Sequence, residues 1–249
     1  MITRAQPWLG TVVEITADTD AAIDAGFAAI GRVHAALNFH DPDSELSAAN
    51  RQAYSRPIEL SRCAAAVVAR AQYWAALSDG AFDASGGNWR DVNLDGRCLS
   101  FAKPLVLDFS GIAKGFAVDR AVAALRKAGA ARGLVNAGGD LRGFGGFWPV
   151  TLVRPNRSNV AQVQLCNAAL ATSALHPDGS GGHLRGRNAA LVSASVETRR
   201  AIDADALAKI VIGGGPRVAA CLDAVGAVAL VLDARGQFSS FGAVAQAAA

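Results

Sequence analysis

A lysine stands between two glycines in Gly111-Ile-Ala-Lys114-Gly115, inside the longer stretch LDFSGIAKGFAVDRA (107–121), and Asp119 follows it by five residues. The stretch reads as a short strand, a turn and the start of a helix. At a helix N-terminus the unpaired amides and the macrodipole favour an anion, and glycines let a phosphate approach the backbone. Lys114 would add a mobile point charge to such a site. A solvated lysine on a first helical turn is the other reading, and this stretch alone leaves both open. It is not a P-loop, because GxxxxGK[ST] is absent.

Two more stretches carry groups of related chemistry. Asn136-Ala-Gly138-Gly139-Asp140 sets a carboxylate beside a glycine pair. That is either a plain turn or a turn that also orients a ligand. In Ile202-Asp203-Ala204-Asp205-Ala206-Leu207-Ala208-Lys209, either aspartate can cap a helix. Asp205 and Lys209 are also an i, i+4 pair on one helical face, where a carboxylate can hold a hard cation.

The elements around these groups follow from hydrophobic period and punctuation. Leu9 to Thr16 reads as a strand, and Thr19 to Leu37 as a helix with Ile23, Phe27, Ile30, Val33 and Leu37 on one stripe. Ser44 caps a short helix after HDPDSEL, and Ser61 to Ser78 forms a second long helix stopped by Asp79-Gly80. The helix opened by Lys114 runs to Lys127. Residues 133–155 predict two strands around Gly138-Gly139-Asp140, and Val160 to Ala174 another pair. Residues 176–188 are loop, and Ala189 to Val196 is a strand. Ile202 to Ile212 and Pro216 to Val225 are helices, and a hairpin closes the chain around Asp233 to Gly236. Strands in adjacent pairs with helices between groups favour an α+β fold over a doubly wound sheet. With no repeat and no linker, residues 1–249 read as a single domain.

Composition excludes several function classes. The net charge is only +3 over 249 residues and no basic run is interleaved with aromatics, so nucleic acid is not an expected partner. Four scattered cysteines and four histidines form no CxxC or Cys/His cluster, so zinc is not expected, and the cysteines read as reduced core residues. No stretch is long and apolar enough to span a membrane. MITRAQPWLG has no h-region of a signal peptide, so a cytoplasmic location is expected, or a periplasmic one if residues are missing upstream.

Taken in order, LGTVVEI (9–15), DPDSELSAAN (41–50), SDGAFD (78–83), LDFSGIAKGFAVDRA (107–121), GLVNAGGDLRGFG (133–145), ATS (171–173) and DADALAK (203–209) resemble the FAD:protein FMN transferases, the ApbE-like family. The resemblance implies an α+β fold of mixed or antiparallel sheets with packed helices, and an FAD cleft between two intertwined subdomains. It implies FAD as substrate, Mg²⁺ as cofactor, and transfer of FMN to a threonine hydroxyl in a flavinylation motif of an acceptor flavoprotein. Lys114 then corresponds to the lysine near the FAD phosphates. Ala113 corresponds to the residue whose carbonyl helps hold the metal, and Asp205 to the metal-ligating aspartate. Asp119, Gly138, Gly139 and Asp140 correspond to positions lining the flavin nucleotide, with Ser44 in the flavin-side SEL motif and His40 where a ring can pack on the flavin.

The sequence departs from that pattern in two places that bear on chemistry. The family signature ends in a threonine that ligates the metal, where this chain has Lys209. An ammonium has no lone pair, so Lys209 either neutralises the pyrophosphate itself or leaves the metal one ligand short. The family's His-x-x-Asp-Pro stretch after TSG is also missing, and His183 is the better positional match to its candidate base. Two functions stay open: an FMN transferase, or an FAD-binding relative (hydrolase, carrier or scaffold) with weakened or lost transfer.

Overall fold

The computed structural model describes residues 1–153, 159–174 and 191–242. The chain opens with a hairpin, β1 (Ile2–Trp8) and β2 (Thr11–Ala17), in place of the single strand expected from Leu9. Leu9 and Gly10 make its two-residue turn with φ of 56° and 72°, the doubly left-handed geometry that suits the twist of a tight hairpin. Nothing in the leucine itself announces a positive φ. Helix α1 (Asp20–Leu37) follows, with the Thr19 side chain accepting from the Ala22 N–H at 3.3 Å. Its stripe of Ile23, Phe27, Ile30 and Val33 is buried. Next come α2 (Glu45–Gln52), β3 (Ile58–Glu59), α3 (Arg62–Leu77), β4 (Val92–Asp95) and β5 (Cys98–Phe101). The last three strands named form a small sheet in the order β3-β5-β4.

Helix α4 (Ala113–Lys127) leads to β6 (Gly133–Ala137) and β7 (Asp140–Phe144). Residues 133–153 then make three strands where two were expected, because Gly145 and Gly146 turn the chain again before β8 (Phe147–Val153). β9 (Asn159–Cys166) pairs with β8, and β10 (Ala169–Ala174) and β11 (Leu191–Thr198) pair with each other. The chain continues through α5 (Ala201–Gly213), a short α6 (Val218–Asp223), β12 (Val228–Asp233) and β13 (Phe238–Gly242). The main sheet has eight strands in the order β1-β2-β6-β7-β10-β11-β12-β13, and every described pairing is antiparallel. The α+β expectation holds.

Alternation sets the two faces of this sheet. Val135, Ala137, Ala169 and Ala171 face the helices α1, α4 and α5, while Leu141 and Leu170 face the β8–β9 hairpin and pack with Trp148, Leu152 and Leu165. Helix α5 is the innermost element, with every residue from Ala201 to Ala208 and from Ile210 to Ile212 buried. A helix buried on every side belongs inside a core. Small residues let its neighbour come close: a Cβ on Gly115 would lie 2.2 Å from the Ala201 carbonyl oxygen. The cysteines are free, but only Cys221 is buried; Cys98 and Cys166 are exposed on strand ends, which corrects the expectation of four core thiols. Among the described residues no helix is long and apolar enough to cross a membrane.

Candidate active site

The three stretches that carry chemistry converge where α4, α5 and the β6–β7 turn meet. Lys114 lies in the first turn of α4, Asp140 opens β7, and Asp205 and Lys209 lie one turn apart on α5. The Lys114 ammonium donates to Asp140 Oδ2 and stands 4.0 Å from Asp205 Oδ1. Lys209 Nζ donates to that same Asp205 Oδ1 and to the Asp205 carbonyl at 3.2 Å. The other carboxylate oxygen, Oδ2, accepts from the Gly115 N–H at 3.0 Å. Two ammoniums therefore share one carboxylate oxygen, and both carboxylates are almost wholly buried, at 4% and 0% exposure.

Charge organises this quartet. Burial works against the Lys114 ammonium, yet Asp205 and Asp140 outweigh it and hold it above the ordinary lysine range. Burial and the neighbouring Asp205 push Asp140 up to about 6, against the pull of Lys114 and Lys209. Asp205 is also opposed by burial, but the two lysines and the Gly115 amide keep its carboxyl below the usual range. Two lysines thus face two aspartates across the quartet.

Lys114, Lys209, Ala113 and His40 line one cavity of about 680 Å³, together with Phe39 and Asp108. The Phe39 and His40 rings meet edge-on with centroids 5.5 Å apart at its rim. Gly138 and Gly139 form the β6–β7 turn with φ of 63° and 100°. A Cβ on Gly138 would lie 2.5 Å from Thr11 Oγ1, so the turn sits tight on the β1–β2 hairpin. Ser44 is buried and spends its hydroxyl accepting from the Ser47 N–H at 3.1 Å, capping α2. His183 lies outside the described residues.

Asp119 is placed differently from the cavity group. Its Oδ1 accepts from Arg142 Nη1 at 2.6 Å and from the Ala201 N–H at 2.9 Å, and its Oδ2 accepts from the Ile202 N–H at 3.1 Å. A side chain of α4 thus caps α5, where Asp203 or Asp205 was expected to do so. Burial pushes the Asp119 carboxyl up, against the pull of Arg142 and the two amides. Asp203 instead meets Arg70 Nε at 2.5 Å and accepts from Trp74 Nε1 at 3.1 Å, holding α3 on α5. Asp119→Ala is expected to cost about 3 kcal/mol of unfolding free energy, because two buried amides and a guanidinium lose their acceptor. A urea melt checks this, and an unchanged midpoint would show that water replaces the carboxylate.

A family model, the ApbE family, matches residues 9–92 and 84–230. The chain belongs to the ApbE family. Among solved structures it is similar to the flavin transferase ApbE of Vibrio cholerae, at 22% identity and a TM-score of 0.83, covering 98% of this chain and 97% of that one. The ApbE protein of Thermotoga maritima gives 22% identity and a TM-score of 0.83, with 96% of each chain covered. The flavinyl transferase ApbE of Pseudomonas stutzeri gives 19% identity and a TM-score of 0.79, with 98% and 94% covered. Among curated proteins none matches this chain.

Set against the metal that the family resemblance implies, this ApbE-family site fits poorly. Mg²⁺ demands near-octahedral oxygen coordination. Asp205 is the implied carboxylate ligand; its Oδ2 accepts from the Gly115 amide, and its Oδ1 is engaged by Lys209, which stands at the position of the implied threonine ligand. Lys209 itself offers no lone pair. Among the described residues no group of three or more His, Cys, Asp or Glu side chains gathers to hold a metal ion. The donor set present does not fit Mg²⁺.

Two residues of the site were not singled out in the sequence. Asp108 lines the cavity and accepts from the Ser110 N–H at 2.8 Å, shaping the turn that delivers Lys114. Its signal was its place in the same LDFSGIAKG stretch. Arg142, the partner of Asp119, had none, since its role depends on β7 lying against α4.

Proposed function

We propose that this chain is a transferase enzyme that splits the pyrophosphate of FAD and hands FMN to a threonine hydroxyl in the flavinylation motif of an acceptor flavoprotein. Residues 1–249 act as one unit in this reading. The observation that carries it is the pair of ammoniums, Lys114 and Lys209, on the wall of a cavity of about 680 Å³ with the Phe39–His40 ring pair at its rim. The rings suit a flavin face, and the ammoniums suit the phosphates.

In the reaction the threonine oxygen attacks the phosphorus on the FMN side. The bond from that phosphorus to the bridging oxygen breaks, and AMP leaves with the electron pair. The hydroxyl proton passes to a base, for which the family resemblance offers His183 as the positional match. Charge spreads over the phosphoryl oxygens at the transition state, so fixed cations lower the barrier without reorganising. Lys114 and Lys209 supply those cations, and Asp140 and Asp205 hold them in position. Gly138 and Gly139 keep the adjoining turn free of side chains. In this reading the two lysines carry the charge that Mg²⁺ would otherwise bring.

The test combines the purified chain with FAD and a threonine-containing acceptor domain, read by in-gel flavin fluorescence and by the mass gain of one FMN. Labelling of the acceptor is the expected result. Bound FAD with no labelling, on an acceptor that another ApbE-family protein labels, would overturn the transfer step. It would favour the second reading, an FAD-binding relative without transfer, to which the Lys209–Asp205 pair already gives weight.

A further inference from the structure

We infer that Lys209 stands in place of a divalent cation, so that the site binds the pyrophosphate of its dinucleotide without a metal; this rests on the FAD reading above. Asp205 Oδ1, where a cation could bridge to a pyrophosphate, is already engaged by the Lys209 ammonium. Lys114 Nζ stands 4.0 Å from the same oxygen. A dication added at that oxygen would be flanked by two ammoniums, and like charges held close in a partly buried site repel strongly.

The lysine is built in and not merely near. Its stem passes Gly111, where a Cβ would lie 3.2 Å from Lys209 Cδ and 3.4 Å from Cε, with the Phe82 ring also at 3.2 Å. The side chain is only 13% exposed although it lines the cavity. Its rotamer freedom is therefore lost on folding and not on binding, which favours affinity. Of the three N–H bonds of the ammonium, two are spent on Asp205, through Oδ1 and the backbone carbonyl. One remains for a phosphate oxygen. Lys114 likewise spends one N–H on Asp140 and keeps the others. The substitution has a cost in charge: an ammonium brings one positive charge where a metal brings two, so the pyrophosphate is less fully neutralised.

The test is equilibrium binding and not turnover. FAD affinity of the wild-type protein is measured by flavin fluorescence in excess EDTA and again in millimolar Mg²⁺, with a calorimetric titration of Mg²⁺ into the FAD complex. The expected result is the same affinity within about twofold in both conditions, and no heat of Mg²⁺ binding. Lys209→Thr, which restores a neutral oxygen ligand, is expected to weaken FAD by roughly tenfold or more in EDTA and to recover with Mg²⁺. Wild-type binding that is lost in EDTA and restored by Mg²⁺ would overturn the inference and leave the FAD reading standing. No FAD binding in either condition would overturn the FAD reading, and this inference with it. The wild-type comparison decides the matter even if the variant does not fold.

Discussion

Replacing Lys114 with methionine is expected to weaken FAD by on the order of 100-fold, the usual scale for removing one member of a buried, hydrogen-bonded charge pair from a ligand site. Methionine keeps most of the apolar stem and removes the ammonium with its charge. The loss has two parts. A direct contact to phosphate goes, and Asp140 and Asp205 are left facing each other across the space that the ammonium bridged. Stability falls too, with a pH dependence of definite sign. Asp140 already titrates at about 6, through burial and the neighbouring Asp205. Without Lys114 its carboxyl rises further, so the folded variant binds a proton that the unfolded chain does not. Stability then declines as pH rises through that range. The deficit of the variant against wild type is expected to be about 3 kcal/mol near pH 8 and to shrink near pH 5, where Asp140 is neutral in both. Urea melts at the two pH values, paired with fluorescence titrations of FAD, measure both parts. A deficit independent of pH would mean that Asp140 is not the group left uncompensated.

One residue further along, the expected effect moves from ligand to fold. Gly115→Ala puts a methyl group 2.2 Å from the Ala201 carbonyl oxygen, 2.6 Å from its carbon and 2.8 Å from Asp205 Cβ. Two of those atoms are backbone and the third is fixed to it, so no rotamer change relieves the clash. Helices α4 and α5 must separate. Alanine gains about 1 kcal/mol over glycine in helix propensity. Overpacking a tight crossing costs about 1–3 kcal/mol and more where backbone must shift, so the clash wins. A net loss of at least about 2 kcal/mol is expected in chemical denaturation. The Asp205–Gly115 hydrogen bond is lost in the same movement, so FAD binding falls with stability. A variant as stable as wild type would show that the crossing has slack.

Lys114, Asp140 and Asp205 stand out as charged groups in small-residue settings, and the order of the motifs pointed to the family to which the chain belongs. The periodic stripes of α1 and α3 were readable because they are local. The β1–β2 turn was not, because Leu9 adopts a positive φ for reasons that lie in the strands it joins. The amides that Asp119 accepts from at the start of α5 lie far along the chain and give no local signal. The link between Asp203 and Arg70 is long-range in the same way. Partners that meet only after the core has closed leave no trace in spacing. Lys209 is the opposite case: its position was plain, and only its contact with Asp205 Oδ1 showed that the ammonium occupies the ligand oxygen.

Helix α4 crosses α5 beside the cavity. Lys114 belongs to one helix and Lys209 to the other, and the two helices are locked by the Gly115 contact at one point and by the Asp119 cap at another. With two points of attachment, neither contact acts as a free pivot. The ammoniums are therefore not two free arms that close on whatever anion arrives. They are the jaws of a fixed gauge, and a ligand must bring its negative charges already set to that gap.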